Sequence, residues 1–106
     1  MNCFIFVYEY LKRKNYNIPN KLDNIEYSKD FKHISENPKY YLRNKLHYKY
    51  FESFTKLTSD IKKDDIILHD NGIGIALNNH KFVTLNHLNI RIIRPIRNHH
   101  IVRRLT

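Results

Sequence analysis

The residues with the greatest chemical potential are one cysteine, Cys3, and seven histidines in a chain of 106 residues. A cysteine at the start of a helix, met by an imidazole, is an apparatus for nucleophilic catalysis: the helix N-terminus favours the thiolate and the imidazole takes the proton. The spacing predicts that helix over residues 3 to 14, because Phe4, Val7, Tyr8 and Leu11 recur at helical intervals. Asn2 is the N-cap of this reading, and the stretch from Asn15 to Asn20, with Pro19 in it, is the stop. A single cysteine rules out an intrachain disulfide and any zinc site built on paired cysteines. Gly72-Ile73-Gly74 lacks a following Gly-Lys-Ser or Gly-Lys-Thr, so it is a strand entry rather than a phosphate loop. Adjacent His99 and His100 would face opposite sides of a strand, which argues against joint ligation of a metal. Neither a metal nor another cofactor is expected.

Charge supplies the next constraint. Nineteen Lys and Arg against ten Asp and Glu give a formal charge of +9, which points to an acidic partner: nucleic acid, a polyanion or an acidic protein surface. The acids all lie at or before Asp70, whereas Lys81, Arg91, Arg94, Arg97, Arg103 and Arg104 follow it. Arginine offers a planar fork for carboxylates that lysine lacks, so these five arginines are the candidate partner-binding residues.

Positioning such groups requires a sheet, and the period changes from helix to strand after Asp60. Short apolar runs at 66–68, 73–77, 81–85, 90–96 and 101–105 predict four to five antiparallel strands, with Asn78-Asn79-His80 as a hairpin turn. Before them, residues 39 to 54 read as a second helix opened by Pro38, and 21 to 58 as a variable loop and helix insert. Its crowd of aromatics, Tyr40, Tyr41, Tyr48, Tyr50, Phe51 and Phe54, is read as a helix packed on the sheet in preference to a stacking platform for bases. The result is an α+β fold in one domain, residues 1 to 106, with an N-terminal helix on an antiparallel sheet. Phe6, Val7, Leu11, Ile67, Ile73, Ile75, Phe82, Val83 and Ile92 are the expected core between helix and sheet. No apolar run approaches the length of a membrane span, and the first residues lack the basic start of a secretory signal, so Sec export is not expected.

Two stretches, and the closing residues after them, resemble the NlpC type of papain-like cysteine peptidase, a cell-wall endopeptidase. Asn2-Cys3-Phe4-Ile5-Phe6-Val7 is similar to the family's opening around its nucleophile, except that Phe4 and Ile5 replace two small residues. Lys63-Asp64-Asp65-Ile66-Ile67-Leu68, followed by the run from Asn71 to Val83, resembles its later turn and strands, and Val102-Arg103-Arg104-Leu105 its final strand. In that register Cys3 is the remnant nucleophile, the base histidine falls on Gly72, and the third polar residue, which orients the imidazole, falls on Thr84. A glycine has no proton acceptor, which leaves His69, three residues earlier, as the possible substitute base.

Three functions of different class follow, two of them implied by the resemblance. The first is a catalytically degenerate NlpC-like domain serving as a structural or adaptor component of a bacteriophage tail or baseplate, bound to other virion proteins and located in the virion or the bacterial cytoplasm. The second is an active peptidoglycan endopeptidase using Cys3. The third rests on charge and tyrosines alone, and is a small nucleic-acid-binding protein, for which no helix-turn-helix, cold-shock or zinc signature is present.

Overall fold

The computed structural model describes residues 3–18, 21–22, 25–26, 46–69 and 72–106. Helix α1 is Cys3–Arg13, and its first half is buried nearly all round, with Phe4, Ile5, Phe6, Val7, Tyr8 and Leu11 in the interior. The expected N-cap, Asn2, lies outside the described residues. The C-terminus of α1 is a Schellman motif: Tyr16 N–H donates to the Leu11 carbonyl, Asn15 N–H donates to Lys12, and Asn15 adopts a φ of 62°. Asparagine tolerates that left-handed conformation better than most residues, which is why the helix ends there.

Strands β1 (Lys21–Leu22) and β2 (Ile25–Glu26) pair antiparallel in a separate two-stranded sheet. Helix α2, Leu46–Glu52, lies within the expected second helix; residues 39–45 of that expectation, with Tyr40 and Tyr41, fall outside the described residues. The main sheet comprises β3 (Thr55–Leu57), β4 (Ile66–His69), β5 (Gly72–Ala76), β6 (Lys81–Leu85), β7 (Arg91–Pro95) and β8 (Ile101–Leu105). All neighbours are antiparallel, in the order β3-β8-β4-β5-β6-β7. The chain is thus a small α+β protein with an N-terminal helix and a six-stranded sheet. The strand beyond the expected four to five is β3, a polar three-residue segment that the sequence reading assigned to the insert; pairing with β8, rather than its own pattern, makes it a strand.

Asparagines build the hairpin turns. The Asn78 side-chain oxygen accepts from the His80 and Lys81 amides, and that of Asn86 accepts from the Leu88 and Ile90 amides. These side chains replace backbone acceptors, which tightens the loops.

The core has two faces. On one, α1 and α2 pack on Ile66, Leu68, Ile73 and Ile75, and the rings of Phe4, Tyr50, Phe51 and Phe54 meet edge-on or tilted with centroids 5.1–5.6 Å apart. Tyr50 and Phe51 are fully buried here, so these two rings serve the core and present no face to a base. On the other face Ile67, Ala76, Phe82 and Val102 form a second cluster flanked by Ile61 and Ile96. The expected core is corrected in two respects. Ile67 and Phe82 are buried but lie in this second cluster, because alternate residues of a strand point to opposite faces. Val83 and Ile92 are half-buried, since β6 and β7 approach the edge of the sheet.

Two polar anchors tie the layers together. Tyr10 and Tyr16, at the end of α1, both donate their hydroxyls to the Asp64 carboxylate, the latter at 3.0 Å. Burial and this hydrogen bond push the Tyr10 phenol up, and the bond to Asp64 first and burial second do the same for Tyr16. Asp65 is buried beneath Arg104, whose Nε and Nη2 each donate to it at 2.8 Å while the Lys62 amide donates a third bond.

Candidate functional site

Cys3 opens α1 and is partly buried against the start of β5. Gly72 is the first residue of β5 and pairs directly with His69, the last residue of β4. Cross-strand partners present their side chains on the same face. With no side chain on Gly72, the His69 ring and the Cys3 thiol share the vacant volume: a Cβ on Gly72 would stand 2.7 Å from the Cys3 Sγ and 3.1 Å from the His69 Cε1. Across β5, the His69 Nε2 meets the Thr84 Oγ1 on β6 at 3.4 Å, and Thr84 donates its hydroxyl to the Ile73 carbonyl at 2.8 Å. His69 and Thr84 are both buried. The structure therefore brings together Cys3, His69, Gly72 and Thr84, four residues from four different elements.

Burial pushes the Cys3 thiol above its ordinary value of 9.0, and hydrogen bonding with the backbone of Ile73 and Phe4 offsets this only in part. The helix N-terminus, which favours a thiolate, is outweighed by the loss of solvent. Cys3 should accordingly react with iodoacetamide more slowly in the folded protein than in the urea-unfolded chain, from about pH 7 to about pH 9, because only the thiolate attacks. Mass spectrometry of quenched samples measures the two rates. A folded-state rate at neutral pH above the unfolded one would mean an activated thiolate and overturn this reading of the site.

The His69 ring also packs against Phe82, with centroids 5.4 Å apart, and lies 6.2 Å from the ring of His100. His99 and His100 are adjacent rings in a loop, not alternating strand residues as the sequence reading had them. Among the described residues no group of three or more His, Cys, Asp or Glu is placed to hold a metal ion. A groove of about 820 Å³ runs beside the second cluster between Thr58, Ile61, Ile96, Arg97 and His100; neither Cys3 nor His69 lines it.

The five candidate arginines separate into two groups. Arg103 donates its Nε to the Thr55 Oγ1 at 2.7 Å and Nη2 to the Thr55 carbonyl at 3.0 Å, fastening β8 to β3. Arg104 holds Asp65 with its whole fork. Both guanidinium groups thus have partners inside the chain. Arg91, Arg94 and Arg97 lie on or just beyond β7, exposed, and form no ion pair among the described residues; Arg91 rests 5.5 Å from the centroid of the Phe6 ring.

Comparison with protein-family models, with curated proteins and with solved structures finds no match to this chain. Among the described residues no helix is long and apolar enough to cross a membrane.

Of the residues brought together, His69 lies outside the three positions that the resemblance assigns. Its signal in the sequence is local: two residues separate it from Gly72, the separation at which antiparallel strands place residues opposite each other.

Proposed function

We propose that this chain is a catalytically degenerate domain of the NlpC type, papain-like in arrangement, that serves as a structural or adaptor component of a bacteriophage tail or baseplate. Its partners are other proteins of that assembly and its location is the virion. The observation that carries the reading is the occupancy around Gly72. The position that the resemblance gives to the base histidine has no side chain, and the space beside it is filled by the Cys3 thiol and the His69 ring. A cysteine at the start of α1, beside Gly72 on β5, with Thr84 on β6 meeting the His69 ring, fits the layout that the resemblance implies. A thiol that burial pushes up, without a base on β5, fits loss of the reaction.

The test is hydrolysis of muropeptides by the purified protein beside its Cys3→Ala form. Neither should release stem peptides. Gly72→His should not restore turnover, because its side chain enters the volume that the Cys3 Sγ and the His69 ring occupy. Cysteine-dependent release would overturn the proposal.

One observation favours a second reading, an active cell-wall endopeptidase. His69 reaches the vicinity of Cys3 from β4 and meets Thr84 as an orienting partner, so the base would have moved by one strand. Under this reading the same assay gives release that is lost in both Cys3→Ala and His69→Ala.

A further inference from the structure

The outer edge of β7 is the strongest unassigned surface. Asn86 N–H donates to Ile90 and Ile96 N–H donates to His80, at 3.0 and 2.8 Å. In an antiparallel ladder the hydrogen-bonded pairs alternate, so with Thr84 opposite Ile92 and Phe82 opposite Arg94 the backbone groups of Ile92 and Arg94 turn toward β6. Those of Arg91 and Ile93, and the carbonyl of Pro95, turn outward. Pro95 has no N–H and sits where none is needed, which agrees with this register. Among the described residues no strand pairs with that edge.

The side chains at the edge are not those of a merely protected strand. Protection relies on charge and proline, and β7 has both. Yet Ile93 is 62% exposed, and Leu88 and Ile90 in the adjoining loop are 64% and 56% exposed. Ile93 and Arg91 also border a groove of about 350 Å³ against Phe6, Tyr10, Leu77 and Val83. Arg91, Arg94 and Arg97 add positive charge without an ion-pair partner among the described residues. Exposed apolar surface, outward-turned backbone donors and arginines without an ion-pair partner among the described residues together describe a site for strand addition.

We infer that β7 receives an extended segment of another protein as a seventh strand, with an apolar residue opposite Ile93 and acidic residues opposite Arg91 and Arg94. A second copy of this chain is a poorer occupant, because antiparallel pairing of two β7 edges brings two arginine rows together. The inference names the mode of recognition for the adaptor reading and rests on it.

The probe is a fluorescein-labelled nine-residue peptide of repeating Asp-Val-Thr, with Lys in place of Asp as its control, followed by anisotropy at low salt. The acidic peptide should bind about tenfold or more tightly than the basic one. Ile93→Pro removes an outward N–H that β6 does not use; it should weaken binding about tenfold while the thermal midpoint stays close to that of the parent. Arg91→Glu with Arg94→Glu should reverse the preference between the peptides, and amide exchange at Arg91 and Ile93 should slow when the acidic peptide is bound. Binding indifferent to charge or to Ile93→Pro would overturn the inference, as would absence of binding. Concentration-dependent dimers with those amides already protected would overturn it in favour of a second copy. Muropeptide hydrolysis would instead remove the adaptor reading and leave the peptide result intact.

Discussion

Replacing Phe82 with alanine should cost about 3–5 kcal/mol of folding stability. The ring is fully buried on β6, where it joins Ile67, Ala76 and Val102 and touches His69 and His100 at centroid distances of 5.4 Å. The second face carries no described helix, only Ile61 and Ile96 from its connecting segments. Phe82 is therefore the largest side chain in a small cluster, and its removal takes away both transfer energy and packing. A domain of this size has a total stability of about 5–15 kcal/mol, so the variant approaches the threshold of unfolding at ambient temperature. Urea titration followed by circular dichroism measures the loss. Val83→Ala, half-buried on the same strand, should cost clearly less. A loss at Phe82 of under about 1 kcal/mol would mean that the second face is no core.

Gly74→Ala should destabilise by about 1–3 kcal/mol, although glycine-to-alanine changes at compatible positions usually stabilise. The backbone of Gly74 is not in the left-handed region, so the effect is not conformational. It is steric: a Cβ there would stand 2.5 Å from the Phe82 Cδ2 and 2.6 Å from the Val83 carbonyl oxygen. A ring can turn aside, whereas a backbone oxygen in the middle of a sheet moves only with its strand. Combining Gly74→Ala with Phe82→Leu should relieve part of the clash and give a non-additive double-mutant cycle. At Gly72 the nearest atoms, the Cys3 Sγ and His69 Cε1, belong to side chains rather than to backbone, so Gly72→Ala should cost less than Gly74→Ala. The reverse order, measured by the same urea titrations, would contradict this account of the two glycines.

Local pattern alone determined much of the architecture. The helical spacing of Phe4, Val7, Tyr8 and Leu11 marks α1, four apolar runs mark β4, β5, β6 and β8, and β7 falls within the fifth; each signal depends only on near neighbours in sequence. Asn78 and Asn15 mark a turn and a helix end by the chemistry of their own side chains. The sequence also placed a cysteine at the start of a helix and an acid-free, arginine-bearing region after Asp70.

Only the tertiary structure decided what those residues meet. β3 is a strand because β8 lies beside it, and no property of Thr55, Lys56 and Leu57 announces that partner. Ile67 and Phe82 fall on the second face because register, not hydrophobicity, selects the side to which a strand residue points. Arg103 and Arg104 are bound to Thr55 and Asp65, whereas Arg91, Arg94 and Arg97 stay exposed, a difference set by long-range packing between similar side chains. Cys3, His69, Gly72 and Thr84 are brought to one place by the docking of α1 and the pairing of β4 with β5, with β6 beside them. Burial at that place then pushes the thiol up, because desolvation depends on every atom that packs around the sulfur and on no short stretch of sequence.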